Sequence, residues 1–166
     1  MIWIEIVFTL IFIFAFVGGL KDGAVKGFFS LIALFIVIPT TGYFYPYFVN
    51  ILQFIPDEIW RSFIGFFGTF IIFSIIIGLI LLIPSKLLTA AWNKGVLYIL
   101  LGGLFSVISC AISLSLLQIV VHTYPIFDWL DYFLSNSEVL SWFSKYFDFI
   151  SLMLPELFHG GSIKAV

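Results

Sequence analysis

Glu5 is the residue in this sequence whose type and position most invite chemistry. It is the charge that interrupts an otherwise apolar run over residues 2–20. An ionisable group inside a membrane-length segment is a functional candidate by default. The preferred reading is plainer: Glu5 lies about one helical turn from the end of its helix, where a polar head reaches the interface and water. Lys21, Asp22 and Lys26 form a second charged group, set among Gly19, Gly23 and Gly27. A third polar feature is the stripe Gly102, Ser106, Ser109 and Ser113, with Cys110 beside it and Gln118 beyond. Steps of four, three and four keep those four residues on one side of a helix. Such a stripe either lines a hydrated path or glues two helices together, and helix contact is the commoner use.

No enzyme signature accompanies these groups. His122 and His159 are far apart, and neither has metal-ligand spacing around it. No serine sits in a nucleophile elbow, and no glycine loop leads into Lys and Ser or Thr to cradle a phosphate. Asp57 and Glu58 read as an exposed pair explained by helix-start chemistry. Cys110 is the single cysteine, so no intrachain disulfide forms. We therefore expect no catalytic, cofactor-binding or metal-binding residues. Glu5, Lys21, Asp22 and Lys26 are the candidate functional side chains.

The elements that position these residues are helices in a membrane. Hydrophobic residues make up 63% of the 166-residue chain and charged residues 10%, against about 45–50% and about 25% in soluble domains. A soluble fold of this size buries only about 70% of its unfolded surface, so the remainder must meet lipid or protein. A net charge of −2 and the lack of a basic cluster argue against nucleic-acid binding. The N-terminus lacks the positive region of a signal peptide, so the first apolar run is expected to stay as a helix.

Four apolar runs stand out, at 2–20, 28–44, 63–83 and 96–121. Roughly 20 helical residues cross a hydrocarbon core of about 30 Å. The second run is short and carries Pro39, which removes a backbone donor and predicts a kink. The stretch 48–55 either completes that run or lies on the surface. Strands are disfavoured because the runs are continuous rather than alternating. Loops are expected at 21–27, around Pro56, and at 84–95. Trp3, Tyr43, Tyr45, Tyr47, Trp60, Trp92 and Tyr98 mark interfacial belts.

The fold class is thus all-α: a polytopic bundle of about four transmembrane helices over 1–121, then an amphipathic interfacial tail over 122–166. In the tail, 137–154 shows helical spacing with one apolar face, capped by Asn136 or Ser137 and ended by Pro155. A shorter helix of the same kind is expected at 126–134. These helices either lie in the membrane plane or pack on a partner. Lys21, Lys26, Lys86 and Lys94 put loops 21–27 and 84–95 in the cytoplasm and both termini outside.

Small residues recur every four positions at Ala15, Gly19, Gly23 and Gly27. This spacing lets helices approach closely. Gly65 and Gly68, in the third run, are expected to face the stripe that begins at Gly102.

The N-terminal pattern also carries a resemblance. Met1-Ile-Trp-Ile-Glu5, an apolar span, and then Gly19-Leu-Lys-Asp-Gly23-Ala-Val-Lys-Gly27-Phe-Phe-Ser-Leu is similar to the colicin V production protein (CvpA) family. That family opens with an acidic residue early in its first helix, followed by a glycine-plus-basic hairpin and a second helix. Glu5 stands where the family usually has aspartate, and Gly19, Gly23, Lys26, Gly27 and Phe28 match its hairpin. The order of four apolar segments and an aromatic amphipathic tail agrees over nearly the whole chain. Two departures occur. Tyr98-Ile99 replaces the Asp/Asn–Arg pair before the fourth span, with Gly102 and Gly103 keeping the glycine character after it. Ser106, Ser109 and Cys110 stand where glycine or a basic residue is expected.

The resemblance implies a bacterial plasma-membrane protein associated with colicin V production or export and with envelope integrity, with no catalytic residues and no cofactor. We expect a non-enzymatic accessory protein whose partners are the lipid bilayer and other membrane proteins or further copies of itself. The alternative is a subunit of a transporter or channel, in which Glu5, the lysine hairpin and the serine stripe line one route.

Overall fold

The computed structural model describes residues 2–91, 95–124, 128–138, 142 and 145. The elements along them are helices: α1 (Ile2–Ile51), α2 (Glu58–Ala91), α3 (Val96–Thr123) and α4 (Asp128–Ser135). The first three are long and apolar enough to cross a membrane.

α1 has 50 residues and would extend about 75 Å if straight. It does not run straight. Gly23 has φ 79° and ψ 171°, between stretches of ordinary helix on either side. The contacts made along α3 show that the chain reverses there. Before Gly23, Phe8 packs with Val121, and Gly19 lies against Gly102 and Ser106. After it, Gly27 lies against Gly102 and Phe105, while Ile38 and Tyr45 pack with Ile112, Leu116 and Val120. The arm 2–22 is therefore antiparallel to α3, and the arm 24–51 is parallel to it. α2 runs antiparallel to the second arm, with Gly65 against Val49 and the Phe44 and Phe73 rings 5.1 Å apart. Three long helices thus supply four passes, matching the four apolar runs.

The bundle has two chemically different ends. The Gly23 reversal, the end of α2 and the start of α3 share one end, with Lys21, Lys26 and Lys86. The start of α1, the 52–57 turn, the end of α3 and α4 share the other, with Glu5, Asp57, Glu58 and Asp131 and the one arginine, Arg61. α3 is the innermost helix: 39% of its apolar window is buried, against 11% in α2. Leu79, Ile80, Ile83 and Leu87 of α2 all point outward, as a lipid-facing surface requires.

Prolines change the backbone less than the sequence suggests. The helix continues through Pro39 and Pro46 to Ile51, and Gly23 is the residue that leaves helical geometry within α1. The stretch 48–55 divides: 48–51 complete α1, and 52–55 form a turn in which Ile55 N–H donates to the Leu52 carbonyl at 2.9 Å. The expected loop 84–95 is also mostly helix, since α2 continues past Pro84 to Ala91. Proline removes one N–H but does not dictate a stop, because in a membrane an unwound backbone costs more than one missing hydrogen bond. Past Pro84, Ser85 Oγ donates to the Leu82 carbonyl at 2.9 Å, and Thr89 Oγ1 to the Ser85 carbonyl at 2.7 Å. Trp92 and Lys94 lie outside the described residues.

α2 begins on a side-chain cap. Asp57 Oδ1 accepts from Ile59 N–H at 2.9 Å and Trp60 N–H at 3.3 Å, satisfying two of the donors that every helix start leaves open. Asp57→Ala is expected to destabilise the folded protein by about 1 kcal/mol, read as a lower thermal midpoint in detergent. Asp57→Asn, which keeps the acceptor, should restore most of it.

α4 overlaps the expected short helix at 126–134 and extends it by one residue, to Ser135. It packs on the bundle's own acidic end: Leu134 is buried with Phe8 and Val121, and the Phe8 and Phe133 rings are 5.6 Å apart. Trp129 and Tyr132 remain exposed on its other side. Of the longer tail helix expected at 137–154, only Ser137, Glu138, Trp142 and Lys145 are described, and Pro155 and His159 lie outside.

Candidate functional site

The sharpest local geometry is the seam where both arms of α1 meet α3. A Cβ on Gly19 would strike the Gly102 carbonyl oxygen and the Ser106 Cβ. A Cβ on Gly102 would sit 2.5 Å from the Gly19 oxygen and 2.6 Å from the Gly23 Cα. On Gly27 it would lie 3.0 Å from the Phe105 Cβ, and on Gly103 2.6 Å from the Phe16 ring. Three backbones therefore converge on Gly102, with only hydrogen atoms between them. Tyr98 closes the seam, packing against Ala24 and Val25, and its ring occupies the space a Gly23 side chain would need. Ala15, one step earlier on the ladder, is half-buried. The sequence ladder thus has a physical use inside the chain itself.

Gly65 and Gly68 differ from the expectation that they face the α3 stripe. Gly65 lies against Val49 of α1, where a Cβ would be 2.6 Å from its Cγ2, and Gly68 has nothing within 4 Å. The reason is the antiparallel register of α2, which turns this part of the helix toward the second arm of α1. Ser106 belongs to the glycine seam. Ser113 Oγ donates to the Ser109 carbonyl at 2.9 Å, within its own helix. The Ser109 hydroxyl is buried without a partner.

The charged groups do not gather into one site. Lys26 and Asp22 form an ion pair across the reversal at the lysine end, with side chains 63% and 48% exposed, so its contribution to stability is small. Glu5 sits at the opposite end. Its Oε1 accepts the backbone N–H of Glu138 at 2.7 Å, joining the first turn of α1 to the start of the tail across 133 positions of sequence. A carboxylate suits a helix start, where N–H groups are unpaired and the dipole is positive. Lys21 is exposed near the reversal.

Residues 4–147 match the family model described as colicin V production protein. The chain belongs to the colicin V production protein family. No curated protein and no solved structure matches it. The family match spans both the Glu5 contact and the glycine seam, so the two features that organise this fold lie within the shared region.

Among the polar groups of the bundle, Thr41, Ser62, Ser115 and Tyr124 are ones that the sequence pattern did not single out. The Tyr124 hydroxyl is hydrogen-bonded to Tyr45 and Ser62, joining α3's end to α1 and α2. Thr41 and Ser115 are buried with unpartnered hydroxyls, and the Gln118 Oε1 and Tyr98 hydroxyl are likewise unpaired. The newly identified residues share no common period because they lie on different helices, Thr41 on α1, Ser62 on α2 and Ser115 on α3. Thr41 lies between Ile38 and Tyr45, and Ser115 between Ile112 and Ile119, each on the core-facing side of its helix. His122 Nδ1 approaches Asp131 Oδ1 at 3.3 Å, tying the end of α3 to α4. Cys110 is half-buried. Among the described residues no three His, Cys, Asp or Glu side chains gather in a metal-holding group.

The Glu5 contact predicts a measurable coupling. Glu5→Ala is expected to free the start of the tail and raise the rate of tryptic cleavage at Lys145 roughly fivefold, the equivalent of about 1 kcal/mol. Glu5→Gln, which keeps an acceptor, should fall between. Equal cleavage in all three proteins would mean that the contact does not restrain the tail.

Proposed function

We propose that this chain is a non-enzymatic accessory protein of the bacterial plasma membrane. It serves colicin V production or export, and envelope integrity, by helix packing with other membrane proteins or with further copies of itself. Membership of the colicin V production protein family over residues 4–147 carries this reading. The exposed apolar faces of the bundle support it, because they leave long helix surfaces for protein as well as lipid. The seam glycines are consumed within the chain, so partner contacts fall elsewhere. Gly18 and Gly68, with open space at their Cβ positions, are where another helix would approach most closely.

The lysine end faces the cytoplasm and the acidic end the exterior in this reading, following the positive-inside bias of Lys21, Lys26 and Lys86. Native mass spectrometry after gentle extraction from the source membrane tests the accessory role. Stoichiometric recovery of a different polypeptide, lost in Gly18→Leu or Gly68→Leu protein that still folds, is the expected result. Recovery of only monomer under conditions that keep known complexes intact would overturn it.

A second reading, a subunit of a transporter or channel, draws on the unpaired buried hydroxyls of Thr41, Ser109 and Ser115. Buried polar groups without protein partners are where ordered water binds. Solute or proton flux through vesicles reconstituted with the purified protein would favour it, and folded protein with no flux under any gradient would count against it.

A further inference from the structure

A lateral groove of about 340 Å³ opens between the second arm of α1 and α2, toward the lysine end. Both walls use the same helical spacing. Lys26, Ser30, Ala33 and Val37 line one side, and Ser85, Gly78 and Ser74 line the other in antiparallel order. From Lys26 to Val37 the groove extends about 16 Å along the helix axis. Small residues create it: Ala33 and Ser30 are short, and a Cβ on Gly78 would meet nothing within 4 Å.

The groove is polar at one end and apolar along its length. Lys26 stands only three residues from the reversal, and Lys86 adjoins Ser85, so the polar end lies at the membrane interface. The apolar part, with Leu34, Val37 and Leu81, points toward the hydrocarbon centre. Lys26 is held to Asp22, but an exposed pair of this kind is weak and exchanges readily for another anion. The Ser85 hydroxyl is engaged with the Leu82 carbonyl, leaving the Lys26 ammonium and the Ser30 hydroxyl as the donors at the mouth.

We propose that this groove binds one anionic phospholipid, with its phosphate at Lys26 and Ser30 and an acyl chain along Ala33, Val37 and Gly78. The order of the lining supports this occupant: a cation at headgroup depth continues into an apolar slot at chain depth. A soluble anion would use only the mouth, and a partner helix would need a flatter, longer seam. At about 16 Å the groove takes the phosphate and the upper part of one chain, with the rest of the lipid in the surrounding bilayer. The site does not depend on the accessory role, since it rests on the groove's own lining.

The test is native mass spectrometry of purified, delipidated protein titrated with dioleoylphosphatidylglycerol or dioleoylphosphatidylcholine. The wild-type protein is expected to hold one phosphatidylglycerol at least about fivefold more tightly than phosphatidylcholine, the effect of one lysine near an anionic headgroup. Lys26→Ala, an exposed change, should erase that preference and leave phosphatidylcholine binding unaltered. Gly78→Phe fills open space rather than displacing packed atoms, and should abolish the single-lipid adduct of either kind. Equal wild-type binding of the two lipids would overturn the proposal, as would a phosphatidylglycerol adduct that survives both substitutions unchanged.

Discussion

Gly23→Ala is expected to destabilise the bundle by about 2–5 kcal/mol. Two causes add. With φ 79° and ψ 171°, Gly23 occupies a backbone region that is essentially closed to residues bearing a Cβ. An added Cβ would also overlap the Tyr98 ring, its nearest neighbour. A membrane bundle with a net stability of about 5–15 kcal/mol has little margin for such a loss. The thermal midpoint of purified protein in mild detergent reads the effect, with Gly18→Ala as the control, since Gly18 has open space around it. The double variant Gly23→Ala with Tyr98→Ala separates the causes. It removes the overlap but not the backbone strain, so part of the loss should remain. A Gly23→Ala protein as stable as wild type would mean that the reversal is not the tight one described.

Gly102→Leu is expected to have an effect of similar size, about 3 kcal/mol or more, because the three atoms nearest to its Cβ position are all backbone. The Gly19 oxygen lies at 2.5 Å from that position, and the Gly23 carbonyl carbon is equally close. A flexible side chain could swing aside, but two helix backbones cannot, so the arms of α1 must part from α3. The visible result is loss of a monodisperse species in size-exclusion chromatography after extraction. Gly68→Leu should stay folded and monodisperse in the same assay, because nothing lies within 4 Å of the position its Cβ would take. Gly19→Leu should resemble Gly102→Leu, since each is the other's obstacle. If Gly102→Leu and Gly68→Leu behave alike, close approach at the seam does not hold the bundle together.

These expectations reassign the small-residue ladder. As a sequence feature it is equally compatible with contacts inside the chain and contacts to a partner. In the fold, Gly19, Gly23, Gly27 and Gly102 are all turned inward. A variant at these positions would therefore disturb the whole protein before it disturbed any assembly. Substitutions at Gly18 or Gly68 probe partner contacts more cleanly, as they leave the seam intact.

The membrane character, the four apolar passes and the position of the first reversal are all readable in the residues. Hydrophobic run length against bilayer thickness is a local property, and glycine at every fourth position marks a close approach whatever the partner. Asp57 at the start of α2 was legible for the same reason, since capping acts over two or three residues. Proline was a poorer guide. Pro39, Pro46 and Pro84 lie inside helices because the membrane penalises an unwound backbone more than it does one missing hydrogen bond. What the glycines touch depended on register, and register follows from side chains distant in sequence: Phe8 with Val121, Tyr45 with Tyr124, Gly65 with Val49. The joining of Glu5 to Glu138 depended on the same packing. No periodicity predicts that contact, because it arises where two separate chain ends are brought to one face of the bundle. The groove between α1 and α2 is likewise a product of alignment: equal spacings on two helices form a slot only when they run antiparallel at the right offset.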